Sequence, residues 1–328
     1  MATNINKFRL LRLPLLAREN VLQTMECLDV ITISHCSKNF KLFVKSLKIK
    51  SKLLHLTISN EIVVDIGVRI WPELVFLLEE TGNPLDAPCK LGVHQEAEMI
   101  CKITSLTIRD WLNYFFEIFH FSKLTLLFLR GSEVFDVENL QNTFRGLTIT
   151  TLNLKGAGLQ DSHSIKLMET FLPVENFGLY KNPFPNNATL QKAICEYEFK
   201  RLQFLSRVHV TLNDIVVLNA IAIEIWCCFL SENDLNVLFK VWKNGWNPKI
   251  KYLYMKIHRE FLSDDYEANI IDGLGAVKNE EEYFIDIFHV RREPVKGGYD
   301  IKKKDGTNGT ILFSVYGQCV DVHFMIGK

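Results

Sequence analysis

Seven times along this chain an aliphatic residue is followed, three and then five positions later, by two more aliphatic, Phe or Met residues. The triplets are Leu53-Leu56-Ile58, Ile103-Leu106-Ile108, Leu124-Leu127-Leu129, Ile149-Leu152-Leu154, Val174-Phe177-Leu179, Leu218-Ile221-Ile223 and Ile250-Leu253-Met255. The middle members at 106, 127, 152 and 177 lie 21, 25 and 25 residues apart. Side chains alternate across a strand, so the last two members of each triplet share one face. The stretch between triplets has room for one helix and its turns. Strand and helix therefore alternate, with parallel strands and helices layered on one side.

Helix signals fill those stretches. Asp110 is expected to cap 111–121, whose Trp111, Tyr114, Phe115, Phe116 and Phe119 read as core. Asp136 is expected to cap 137–146, Asp161 or Ser162 to cap 163–172, and Asn186 to cap 188–199. Ser231-Glu232-Asn233-Asp234 resembles a capping box that opens a helix burying Leu235, Leu238, Phe239 and Trp242. One strand and one helix per 20–29 residues is the geometry of a leucine-rich repeat. The later gaps lose the 25-residue period, and the repeat's asparagine position is not reproduced. The expected fold is thus α/β with α+β ends, its centre leucine-rich-repeat-like.

The ends read differently. Ile62, Val64, Ile66, Val68 and Ile70 alternate as in a half-buried strand, and 81–95 reads as a loop. The C-terminus reads as antiparallel strands over 284–291, 299–304, 310–316 and 320–326, with Asp305-Gly306 and Asn308-Gly309 as turns. Residues 8–45 read as compact and helical, in three short helices. Leu10, Leu11 and Leu13 precede Pro14; Leu15, Leu16, Val21, Leu22 and Met25 follow it at near-helical spacing. A unit this small cannot bury so much apolar surface alone, so it packs on the body or offers a face to a partner. The six lysines from Lys38 to Lys52 read as the solvated side of the third helix.

Composition removes several function classes. With 48% apolar and 23% charged residues among 328, the chain can fill a core of about two domains. A formal net charge of zero argues against a nucleic-acid partner. No apolar run reaches the roughly 18 residues of a membrane span. Arg9 and Arg12 interrupt the first apolar stretch, so no secretory signal is expected. The eight cysteines are scattered and read as reduced thiols of a cytoplasmic or nuclear protein. No GxGxxG, P-loop, CxxC, HExxH or Gly-x-Ser-x-Gly occurs, so no catalytic residue, metal or cofactor is assigned.

Two blocks carry a family resemblance. Phe8-Arg9-Leu10-Leu11-Arg12-Leu13-Pro14-Leu15-Leu16, then Val21-Leu22, Ser34 and Ser37-Lys38, resembles an F-box, although its acidic residue, Glu19, comes later than usual after Leu-Pro. Leu218–Ile225, Phe229–Asn236, Phe239–Gly245, Asn247-Pro248 and Tyr252-Leu253 are similar to the F-box-associated domain of a large nematode family. The pair in this order implies a non-catalytic substrate receptor of a cullin–RING ubiquitin ligase, docked through a Skp-type linker protein. Leu13, Pro14, Leu16, Val21, Leu22 and Ile31 match the docking positions. The implied layout is an F-box at 1–50, a β-rich connection at 51–100, the repeat-like and F-box-associated region at 101–260, and a β-hairpin region at 261–328. The target, whose identity the sequence does not give, is expected on outward strand positions: Thr107, Arg109, Phe128, Arg130, Asn153, Lys155, Gly178 and Tyr180. A repeat scaffold with no ubiquitin role is the alternative, its first helices merely capping the repeats.

Overall fold

A computed structural model describes residues 10–46, 53–66, 74–78, 85–95, 98–287 and 291–327. The chain forms two compact units, Met1–Thr150 and Thr151–Lys328.

In the first unit a single helical turn, Leu10–Arg12, leads into α1 (Leu15–Thr24), α2 (Cys27–Cys36) and α3 (Lys38–Ser46). Pro14 occupies the N-cap of α1, where its missing N–H costs nothing. Leu22, Leu28, Val30, Ile31, Phe43 and Val44 fill the space between the helices. Of the lysine run, Lys38 is exposed and Lys41 reaches Glu117 at 2.8 Å; Lys48, Lys50 and Lys52 lie outside the described residues.

Strands β1 (Leu53–Ile58), β2 (Ile62–Asp65), β3 (Leu74–Leu77), β4 (Cys89–Gln95) and β5 (Glu98–Leu106) form an antiparallel meander. Ile62, Val64 and Ile66 are buried as the alternation requires; Val68 and Ile70 lie outside the described residues. The expected loop at 81–95 is corrected in its second half, which is β4. Its two glycine and proline signals at Pro88 and Gly92 flank or interrupt a strand that pairs on both sides.

Helix α4 (Ile108–Phe119) begins earlier than expected. Thr107, not Asp110, is the N-cap, and Asp110 closes the capping box as its third residue. The triplet Ile103-Leu106-Ile108 is therefore no single strand. The aromatic stripe of α4 is core, with Trp111 stacked on Phe115 at 5.8 Å and Phe115 on Phe76 at 6.5 Å. Strand β6 (Lys123–Phe128) then pairs parallel to β1, and α5 (Val137–Phe144) starts on its expected cap, Asp136.

In the second unit β7 (Ile149–Leu154), β8 (Asn176–Lys181), β9 (Phe199–Arg207), β10 (Ala220–Cys228) and β11 (Tyr252–His258) run parallel in that order. The connections contain α6 (Asp161–Phe171), α7 (Asn187–Ile194), α8 (Leu212–Val216) and α9 (Glu232–Lys243). Asn186 and Ser231 cap α7 and α9 as their sequences require, whereas α6 starts behind Gln160 with no side-chain cap. α7 ends at Ile194, short of the expected 199; a turn follows and β9 begins at Phe199. This strand carries the same spacing, Phe199-Leu202-Phe204, and Leu202 lies 25 residues after Phe177.

After α10 (Tyr266–Ile271) the chain returns as an antiparallel meander of β12 (Val277–Ile287), β13 (Arg291–Lys302), β14 (Asn308–Tyr316) and β15 (Cys319–Ile326). β15 pairs antiparallel with β11, which makes a large C-terminal sheet with β12 outermost. A bulge between Asn279 and Glu282 interrupts the β12–β13 ladder. Asp305-Gly306 is a turn, with Gly306 at φ +91°. Asn308-Gly309 is not; it lies in β14. A Cβ on Gly309 would sit 2.6 Å from the Phe324 ring and 2.9 Å from Trp242, so close packing rather than turn geometry selects glycine there. Among the described residues no helix is long and apolar enough to cross a membrane.

Candidate partner-docking surfaces

The N-terminal helices pack against α4. The Ser34 hydroxyl meets that of Tyr114 at 2.7 Å, and the His120 ring lies 3.0 Å from the Lys45 carbonyl. Arg18 of α1 sits over the Phe43 ring of α3 at 4.9 Å. Packing still leaves apolar side chains outside. Leu15, Leu16 and Leu42 are 53%, 74% and 56% exposed. Of the six positions matched to docking, Pro14 and Leu16 are exposed, and Leu13 and Val21 are half-buried. Leu22 and Ile31 are in the core of the unit, so they hold the helices together. Leu15 and Leu42 are exposed apolar positions that the motif match did not single out.

The second unit carries a polar row on the sheet face opposite Leu152, Phe177, Leu202, Ile223, Leu253 and Phe324. Helix α9 covers the latter face, with Phe239 and Trp242 packed on Phe324 at 5.0 and 4.8 Å. Strand register aligns Asn153, Gly178, Gln203, Glu224, Tyr254 and His323 across six adjacent strands. Glu224 is the hub. It accepts a 2.7 Å hydrogen bond from Gln203 Nε2 and pairs with Arg201 Nε at 3.0 Å. Tyr254 donates to Asp321 at 3.1 Å, and the Tyr252 hydroxyl lies 3.0 Å from His323 Nδ1. A Cβ at Gly178 would meet the Asn153 amide oxygen, so a larger residue there requires the Asn153 side chain to turn away. The next positions add Trp226 edge-on to Tyr254 at 5.2 Å, with Lys256 5.8 Å from the Trp226 and Tyr316 rings.

Burial sets the charge states along this row. It pushes His323 down to about 4, so the imidazole is neutral near pH 7. It raises both Tyr252 and Tyr254, the nearby Asp321 adding to the shift of Tyr254, so both hydroxyls remain protonated donors. Lys155 is lowered by burial, an effect that the Glu224 charge opposes.

Asn153, Lys155, Gly178 and Tyr180 lie on or beside these strands, Tyr180 and Lys155 half-buried. Three other expected target positions are corrected. Thr107 caps α4 and Arg109 lies within it, donating to the Thr143 carbonyl at 2.9 Å. Phe128 is fully buried, because β6 turns Leu124, Leu126 and Phe128 inward and the triplet was one residue out of phase. Arg130 is exposed just past β6. The row residues Gln203, Glu224, Tyr254 and His323 escaped sequence reasoning. Their one signal was a polar side chain between two apolar ones on successive strands.

Comparison with known proteins fits this layout. Residues 10–52 match the F-box domain family model, and residues 190–255 match the family described as F-box associated. The chain is similar to the F-box associated domain-containing protein sdz-33 of Caenorhabditis elegans, at 19% identity over 306 residues, covering 93% of this chain and 94% of that protein. No solved structure matches. The three N-terminal helices thus lie within the F-box match, and the stretch from the end of α7 into β11 lies within the F-box associated match.

Proposed function

We propose that this chain is the non-catalytic substrate-recognition adaptor of an SCF-type ubiquitin ligase, acting in the cytoplasm or nucleus. Its F-box docks on a Skp-type linker, and its leucine-rich-repeat-like second unit holds the target protein. The observation that carries the reading is the F-box match on three helices that keep Leu15, Leu16 and Leu42 in solvent. An adaptor contributes proximity: it holds a lysine-bearing target near the loaded enzyme and performs no bond chemistry. Pro14, Leu16 and the flanking Leu13 and Val21 are the proposed linker contacts. Asn153, Lys155 and Tyr180, with the row through Glu224, are the proposed target contacts.

The test is co-purification of a Skp-type protein with the full chain and with the Pro14→Ala, Leu16→Asp variant. Both positions are exposed, so the variant keeps its fold while linker binding is abolished. Undiminished binding sinks the docking assignment. The packing of α2 and α3 on α4 favours one second reading, a protein-binding scaffold whose first helices are a cap. That reading expects no linker in either purification.

A further inference from the structure

We propose that the edge of the second unit where its parallel strands end is a docking surface for a protein segment presenting arginine or lysine beside apolar side chains. β9, β10 and β11 run parallel, so the segments leaving their C-terminal ends emerge together. Those segments place His209, Phe229 and Phe261 in a connected series of rings. His209 stacks on Phe229 with centroids 4.8 Å apart, and Phe229 meets Phe261 edge-on at 5.5 Å. Phe229 and Phe261 are 46% and 45% exposed. Val315 and Tyr316, also exposed, end β14 at this same edge, because the antiparallel β15 pairs its Cys319 with His258 of β11. Large apolar side chains gathered at one exposed edge mark an interaction site more often than scattered ones do.

The charge around the ridge selects the partner. The segment 258–265 holds Glu260, Asp264 and Asp265 against one formal cation, Arg259. Glu260 Oε1 lies 3.3 Å from His258 Nδ1. Asp264 and Asp265 are exposed, and their carboxylates make no hydrogen bond or ion pair among the described residues. Beside Phe229 opens a pocket of about 440 Å³ lined by His209, Thr211, Leu212, Leu230 and Asp234. An arginine or lysine stem covers the rings while its cationic head lies over an aromatic face or reaches the carboxylates. Lys256, 5.8 Å from the Tyr316 ring, adds a second cation on the β14 side, while phosphate or an acidic peptide meets like charge at Asp264 and Asp265. This inference rests on the adaptor reading only in taking the partner to be a protein. The linker assay reports on the N-terminal helices, so the two fail separately.

The experiment is fluorescence anisotropy on the full chain with a labelled Gly-Ser peptide carrying a central Leu-Arg-Leu-Arg-Leu. Control peptides replace arginine by citrulline or by glutamate. The arginine peptide is expected to bind saturably, and the citrulline peptide about tenfold more weakly. Phe229→Ser with Phe261→Ser weakens binding about tenfold, the usual scale for removing central aromatic anchors. Asp264→Asn with Asp265→Asn weakens it several-fold and flattens its salt dependence. The Asp pair changes exposed side chains only and tests the idea even if the phenylalanine variant fails to fold. Equal binding of the citrulline peptide, no saturable binding of the arginine peptide, or undiminished binding by a folded phenylalanine variant overturns the proposal. So does a dimer in light scattering that the phenylalanine variant dissociates, because the ridge then belongs to a second copy of the chain.

Discussion

His323 makes the second unit sensitive to mild acid. Its side chain is 1% exposed in β15, and burial lowers it from 6.5 to about 4. Between those two values the unfolded chain holds a proton on this residue that the folded chain does not. Stability from the neutral imidazole is therefore complete above pH 6.5 and is lost as pH falls towards 4, at up to about 1.4 kcal/mol per pH unit. From pH 7.5 to pH 5 the loss is about 2 kcal/mol. The assay is urea unfolding of the wild type and of His323→Phe at both pH values. The substitution keeps a buried ring but gives up the contact with Tyr252, which costs a roughly pH-independent ~1 kcal/mol. The pH-dependent part should shrink by about 2 kcal/mol in the variant. The same loss in both proteins, or an imidazole that titrates near 6.5 by NMR in the folded chain, refutes the reasoning.

Two further outcomes follow from the same unit. Arg201→Met leaves Glu224, 5% exposed, without its cation and should cost about 3 kcal/mol in chemical denaturation, towards the low end for a buried pair because the Arg201 side chain is 26% exposed. Adding Glu224→Leu should restore most of that stability; a cost below about 1 kcal/mol for the single change shows the pair is screened. Gly309→Ala should lower stability by about 1–3 kcal/mol by pressing a methyl into Phe324 and Trp242, and a neutral result in thermal melts shows that this packing has slack.

Helices were legible in the sequence where a cap and an apolar stripe coincided. Asp136, Asn186 and Ser231 each place a short polar side chain just before buried residues, and the helices begin there. At α4 two capping-capable residues stood three apart, and Asp110 drew the assignment because it precedes Trp111; the reciprocal bonds of a capping box fix the start at Thr107 instead. Strands were harder. A triplet spaced three then two does not tell which residue enters the sheet first, and in β6 that ambiguity reversed the assignment of Phe128. β9 was hidden because its Arg201 and Gln203 look solvated in sequence; neighbouring strands supply the buried partner that makes them tolerable. For the N-terminal surface the motif marked a stretch of chain, not individual side chains. It did not separate Leu16, in solvent, from Leu22, in the core, because both are leucines on one short helix and only packing tells them apart.

The outermost of the described strands, β12, bears on edge-to-edge association. An unpaired sheet edge is a template on which another chain can add strands and start a fibril. Here the exposed stretch of that edge carries Lys278, Glu280, Glu281 and Glu282, and the bulge at Asn279–Glu282 breaks its straight ladder. A second β12 laid alongside would bring like-charged glutamates together on a kinked backbone. The acidic run at 280–282 disfavours such pairing, and replacing its glutamates with threonine or valine is expected to leave the monomer folded but raise aggregation measured by light scattering.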